Sequence, residues 1–221
     1  PEGISVNNMI KKKVELNYLK DKGCTITPNG AMFKIDNQGF LPKIMEKMYN
    51  DRVEFKKLEF EAKKNYQKTK DPIYAKETSR CHNIQWAKKI SLNSAYGAIG
   101  NQYFRYYNVN QATAITTSGQ FIIQYIEKKV NEYMNNILKT KQDYIVASDT
   151  DSIYLRLDEL VNKVCKDKTK EQTINFINRV VDSRIEPFIE KCFNELADYT
   201  NAIGQKMVMK REVIADKGIW T

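Results

Sequence analysis

Between residues 41 and 95 the chain carries two long, highly charged stretches of helical spacing separated by a polar reversal, and few folds accommodate such a pair. From Leu41 to Lys68 the apolar positions Ile44, Met48, Phe55, Leu58 and Ala62 form only a narrow stripe. Lys68 to Pro72 interrupts the pattern, and a second stretch runs from about Tyr74 to Ala95. Two helices joined by so short a reversal lie antiparallel. With so few apolar side chains the pair is expected to project into solvent or over a ligand, so the core must come from elsewhere. The strongest amphipathic pattern spans residues 112 to 138, with Ile115, Ile122, Ile123, Ile126, Val130, Tyr133, Met134 and Ile137 at helical spacing. Residues 169 to 199 repeat that pattern, with Pro187 expected to kink or break the helix.

Shorter signals fill the gaps. Residues 1 to 22 have a helical rhythm, and Thr27-Pro28-Asn29-Gly30 is a turn. Ala31 to Ile35 reads as a short strand, Asn37-Gln38-Gly39 as a second turn, and Tyr96 to Gly100 as a glycine-punctuated bend. Tyr103 to Tyr107 is strand-like, and Met207 to Ile214 alternates as a strand should. The sum is an α+β fold: a small antiparallel sheet packed on helices, with a protruding antiparallel helical pair.

One further hairpin carries chemistry. Asp149-Thr150-Asp151 sits between the apolar run Tyr144 to Ala147 and the alternating run Ile153 to Leu157. Carboxylates at i and i+2 beside a tight turn repel one another unless a cation lies near. Mg²⁺ suits such a pair, because it keeps waters and shares carboxylate and phosphate oxygens. The plainer reading is a surface turn, since Asp and Thr are ordinary turn residues.

The formal charge of +9 favours a polyanionic partner. No apolar run approaches the ~20 residues of a membrane span and no secretory signal is visible, so a soluble, intracellular protein is expected. Cys24, Cys81, Cys165 and Cys192 lie far apart and His82 is the single histidine, which argues against zinc and against a disulfide framework. The chain starts on Pro1 and stops on Ile219-Trp220-Thr221, and reads as a piece of something longer.

The basic residues of the paired helices are ordered. Arg52, Lys56 and Lys63 fall within about 40° on a helical wheel. Gln85, Lys89, Asn93 and Tyr96 form another stripe. Facing one pocket, the two would make a wall suited to a triphosphate. The alternative is a solvated face, with Glu46, Asp51, Glu54, Glu59 and Glu61 pairing the lysines.

Lys88-Lys89-Ile90-Ser91-Leu92-Asn93-Ser94-Ala95-Tyr96-Gly97 resembles motif B of the family B (α-like) DNA polymerases, K-x-x-x-N-S-x-Y-G. Asp149-Thr150-Asp151-Ser152 resembles their motif C, D-T-D-S. Thr113 to Thr117 with Gly119 is similar to the segment between them, and Pro28-Asn29-Gly30 followed by Tyr49-Asn50-Asp51-Arg52 resembles replicative enzymes of tailed phages. The resemblance covers nearly the whole chain. It implies a palm segment at 1–39 leading to fingers, a fingers hairpin at 40–95, and a palm at 96–221. It implies Asp149 and Asp151 as catalytic carboxylates binding two Mg²⁺ ions, and Arg52, Lys56, Lys89 and Asn93 as nucleotide-binding residues. Tyr96 and Gly97 fall at positions against the DNA, on the minor-groove side of the nascent pair. Glu212 falls where relatives often hold an acid near the metals.

The implied reaction is template-directed transfer of a nucleotide from a dNTP to a primer 3′-hydroxyl. Primer-template DNA and dNTP are the implied partners, with no membrane, and a sliding clamp and other replisome proteins would engage through regions absent here. The phage-type motifs point to the cytoplasm of a bacterial host. The D-x-x-S-L-Y-P-S segment of motif A and the K-K-R-Y-like primer grip do not occur in the chain, and Ser148 replaces the glycine many relatives place before the first aspartate. The isolated chain is therefore expected to be inactive. The alternative is a non-catalytic module that binds nucleic acid or nucleotide.

Overall fold

The computed structural model describes residues 3–218. Residues 1 and 219–221, on which the expectation of an excised piece rests, lie outside them. The chain divides into two compact units, one of residues 1–35 and 116–221, the other of residues 36–115.

The second unit is built on two long helices. Helix α3 (Phe40–Thr69) and helix α4 (Pro72–Ile99) pack along their lengths. The reversal is short because both ends are capped. Lys70 adopts a left-handed conformation (φ 57°) and its N–H closes onto the Tyr66 carbonyl. Asp71 then accepts from the Ile73 N–H at 2.9 Å, and Pro72 opens α4 where no amide hydrogen is needed. The seam is thin: its buried residues are Ala62 from α3 and Cys81 and Gln85 from α4. Lys88 bonded to Asp51 at 2.7 Å and His82 to Glu59 at 3.0 Å complete it.

Two sequence expectations fail in this unit. Helix α4 does not end at Ala95 in a bend but continues through Gly97 to Ile99. The alanines and Ile99 around Gly97 carry enough helix propensity and burial to absorb the ~1 kcal/mol an interior glycine costs. Tyr103 to Tyr107 forms successive turns and no strand. Tyr106 meets Phe40 in a tilted contact at 4.7 Å and Phe104 edge-on at 5.7 Å, and the Phe104 and Tyr107 N–H groups close turns onto the Asn101 and Phe104 carbonyls, so turn hydrogen bonds and ring packing order that run. Helix α5 (Val109–Leu138) begins here and continues into the first unit.

The core of the first unit forms around α5. Phe121, Tyr125, Ile126, Val130 and Met134 make one buried stripe. It packs against Ile177, Val181, Ile185, Ile189, Phe193 and Leu196, drawn from α7 (Lys170–Val180), a π-helical turn (Val181–Ile185) and α8 (Glu186–Thr200). Steps of four residues advance about 40° round an α-helix, so a straight helix would wind this second stripe away from its partner. The wider π turn takes up part of that drift. It falls where Pro187 has no N–H for the preceding turn, so the expected kink or break is a π turn within a continuing helix.

The N-terminal rhythm yields two short helices, α1 (Val6–Ile10) and α2 (Tyr18–Asp21), parted by Lys12 at φ 49°. Strands β1 (Cys24–Ile26) and β2 (Met32–Lys34) form a hairpin through the Pro28-Asn29-Gly30 turn, where Gly30 adopts φ 84°. Strands β3 (Ile145–Asp149) and β4 (Ser152–Leu155) form a second hairpin, and helix α6 (Asp158–Val164) follows. The fold is α+β as expected, but among the described residues the sheet is two separate two-stranded hairpins. Residues 207–214 form no strand. Met209 and Ile214, which have opposite phases in the alternation, pack on the core while Val208 and Val213 are three-quarters exposed, so burial here does not follow a strand's period of two.

Candidate functional site

The acidic turn is tight. Asp149 pairs with Ser152 across the hairpin, leaving Thr150 and Asp151 as its two loop residues. Thr150 takes φ 49°, a left-handed conformation that a β-branched residue rarely adopts. The Asp151 N–H donates to the Asp149 carbonyl, a three-residue closure. The Thr150 hydroxyl donates to the Asp149 carboxylate at 3.0 Å, and the Ser152 hydroxyl to the Asp149 carbonyl at 3.1 Å. Both aspartates are exposed. Strain of this kind persists where surrounding structure imposes it, and it concentrates at functional sites.

A bulge sets which way Asp149 faces. Ile145 pairs with Leu155, but Ala147 pairs with Tyr154, so Val146 is the extra residue. Cross-strand partners share a face. Ile145 and Leu155 pack on the core, whereas Ala147 shares the outer face with the exposed Tyr154. Two residues further on, Asp149 shares that outer face. In an unbulged strand Asp149 would lie on the face of Ile145, against the core.

Helix α5 fixes the entrance to β3. Asn135 donates through Nδ2 to the Gln142 carbonyl at 2.8 Å, and its Oδ1 accepts from the Gln142 N–H at 2.9 Å and the Thr140 hydroxyl at 3.1 Å. The fully buried Tyr144 closes the loop through its hydroxyl, which meets Thr140 at 2.6 Å and Gln142 at 3.0 Å. Sequence reading missed this clasp. Asn131 and Asn135 share one face at i and i+4 beside a polar loop, a pattern too common to single out.

On the helical pair both basic stripes fall on the same side. Taking the buried Ala62, Cys81 and Gln85 to mark the line joining the helices, Arg52, Lys56 and Lys63 lie to one side of it round α3, and Lys89, Asn93 and Tyr96 to one side of it in the same rotational sense round α4. In antiparallel helices equal turns in that sense reach one common side, the side on which His82 meets Glu59. The contacts Asp51–Lys88 and Glu59–His82 also set the level of each residue. Arg52 stands level with Lys89 and Lys56 lies one turn away, whereas Lys63 is displaced by about 16 Å along the axis and leaves the cluster.

Their surroundings differ. Arg52 is half-buried, and its Nε is buried without a hydrogen-bond partner. Lys88 is held by Asp51, whose carboxyl is drawn below its usual range chiefly by that hydrogen bond. Lys89 has no carboxylate partner among the described residues and rests over the Trp86 ring at 4.9 Å. Asn93, Tyr96 and Gly97 are exposed, and a Cβ at Gly97 would meet nothing within 4 Å. Internal packing therefore gives no reason for a glycine inside α4.

Asp149 and Asp151 are hard oxygen donors suited to Mg²⁺. Among the described residues no third acidic, histidine or cysteine side chain joins them, so Glu212, exposed in the segment after α8, does not complete the set. Two carboxylates fit an ion that keeps waters and shares substrate oxygens. They do not form a closed cage.

A family model described as DNA polymerase family B matches residues 3–197. The chain is similar to the DNA-directed DNA polymerase of Enterobacteria phage T4, 33% identical over 233 residues that cover 86% of this chain and 26% of the relative. It is similar to that of Escherichia phage RB69, 32% identical over 247 residues, 88% of this chain and 27% of the relative. It also resembles the DNA polymerase delta catalytic subunit of Candida albicans, 27% identical over 188 residues, 83% of this chain and 17% of the relative. The chain thus spans about a quarter of the length of the phage relatives it matches.

Proposed function

The chain belongs to DNA polymerase family B, and from that premise we propose that it forms the fingers and most of the palm of a template-directed DNA polymerase. The reaction is nucleotidyl transfer from a deoxynucleoside triphosphate to a primer 3′-hydroxyl, with DNA as template. The observation that carries this reading is the strained Asp149-Thr150-Asp151 turn, whose first aspartate a bulge keeps off the core face.

Asp149 and Asp151 would hold divalent ions, which would supply charge neutralisation at the phosphates and polarisation of the attacking hydroxyl. Arg52, Lys56 and Lys89 grip the triphosphate, the guanidinium by its planar fork of N–H donors and the lysines as point charges. Asn93 contributes a hydrogen bond to the same nucleotide. Tyr96 and Gly97 lie against the nascent base pair, where a residue without a Cβ lets another surface approach closely. In this reading residues 40–95 are the fingers hairpin, and 1–39 and 96–221 belong to the palm. The parent enzyme would act in the cytoplasm of a bacterial host, with clamp contacts through other regions.

The 221-residue chain contains no D-x-x-S-L-Y-P-S string, so alone it lacks one carboxylate anchor and is inactive. Two measurements test this. Primer extension with Mg²⁺ should give no incorporation, and steady incorporation would overturn the inactivity. Triphosphate binding should weaken steeply with salt and fall at least tenfold in Arg52→Ala, and salt-insensitive binding unaffected by that change would sink the assignment of the basic face.

A further inference from the structure

The strongest unassigned feature is a column of side chains on the basic side of the helical pair. His82, Trp86 and Lys89 follow one another at steps of four and three along α4, so they stack along one face. The Glu59 carboxylate of α3 meets His82 Nδ1 at 3.0 Å. The imidazole lies nearly parallel to the Trp86 indole, with centroids 6.2 Å apart and 14° between the planes. The Lys89 ammonium sits over the same indole at 4.9 Å. Trp86 is about half exposed, although large aromatic side chains favour burial.

We propose that Trp86 is a positioning residue for Lys89: its ring face holds the ammonium at the level of Arg52, so that the two cations meet a polyphosphate together. This rests on the assignment of that face to the triphosphate. A lysine side chain has four rotatable bonds and reaches many positions at similar energy. An aromatic face attracts the cation without using up its N–H donors, which stay free for phosphate oxygens. The neighbouring lysine shows the contrast. Lys88 spends its ammonium on Asp51 and fastens the two helices, whereas Lys89 is fixed by a partner that leaves its charge uncompensated. Ordering a charged side chain before the ligand arrives removes part of the entropy cost of binding. Glu59 holds the His82 imidazole, which lies parallel to the indole.

The test is equilibrium binding of Mg²⁺-dATP to the chain and four variants: Trp86→Leu, Trp86→Phe, Lys89→Ala and the double variant Trp86→Leu/Lys89→Ala. Circular dichroism melts serve as the folding control. Trp86→Leu keeps an apolar side chain but removes the π face, and should weaken binding about two- to five-fold, the size of an exposed cation–π contact. Trp86→Phe should restore most of the affinity. In the Lys89→Ala background, Trp86→Leu should have no further effect, because a ring that acts only through Lys89 has then nothing to position. Equal affinities for the Leu and Phe variants, or an undiminished effect of Trp86→Leu without Lys89, would overturn the role of Trp86 while leaving the phosphate face standing. Failure of the unsubstituted chain to bind dATP would remove both.

Discussion

The Oδ1 of Asn131 on α5 accepts the backbone N–H of Tyr144 at 2.9 Å, which ties the longest helix of the core to the residue immediately ahead of β3. One helical turn later Asn135 captures both backbone groups of Gln142. The hairpin that bears Asp149 and Asp151 is only two strands wide, and such a hairpin is marginal alone. Its orientation is therefore set by packing of Ile145, Ile153 and Leu155 and by these two asparagines.

Truncation of Asn135 should show this directly. The backbone groups of Gln142 and the Thr140 hydroxyl would lose their partner, at about 1–3 kcal/mol. Chemical denaturation should therefore find Asn135→Ala less stable by that amount. A change within about 0.5 kcal/mol, the range of ordinary surface substitutions, would mean the clasp contributes little.

Thr150 carries strain that glycine would relieve. Its φ of 49° is unfavourable for a β-branched residue, but glycine gives up the hydroxyl bond to Asp149 and gains unfolded-state entropy. These effects oppose, so Thr150→Gly should change stability by no more than about 1 kcal/mol. A loss well beyond that in equilibrium unfolding would show that the hydroxyl bond outweighs the strain.

The Asp51–Lys88 contact predicts a pH dependence of known sign. The Asp51 carboxyl is held below the value of an unperturbed aspartate, chiefly by the hydrogen bond from Lys88, so the folded state binds its proton less readily than the unfolded chain. Its stabilisation is fully present above that value and is lost as pH falls through the lowered folded value. The Asp51→Asn variant should melt below the parent at neutral pH, and the gap should close on acidification. A gap constant with pH would show that the ion pair is not its source.

Asp149 and Asp151 should act as a pair towards cations. Weak Mn²⁺ binding, followed by the electron paramagnetic resonance of the free ion, should fall about tenfold or more in either Asp149→Asn or Asp151→Asn. Equal binding by the parent and both variants would place the ions elsewhere on this protein.

Local rules in the amino-acid order determined the elements whose signals are self-contained. The Lys70-Asp71-Pro72 reversal carries its own caps, the helical stripes of α5 and α8 carry their own period, and Thr150-Asp151 carries its own turn chemistry. Tertiary structure decided everything that needs a partner. Alternation at residues 207–214 cannot supply the backbone that would make a strand, and the core takes Met209 and Ile214 from opposite phases of it, while turns replace the strand expected at Tyr103 to Tyr107. The single extra residue at Val146 turns Asp149 away from the core face, and no sequence period announces it. Likewise the sequence alone sets Lys63 three turns from Arg52 along α3, but only the contacts with α4 reveal that Lys89 stands level with Arg52 and not with Lys63. Phase along one element is a short-range property of the chain, whereas register between elements is set by packing and cross-chain hydrogen bonds that the order of residues leaves open.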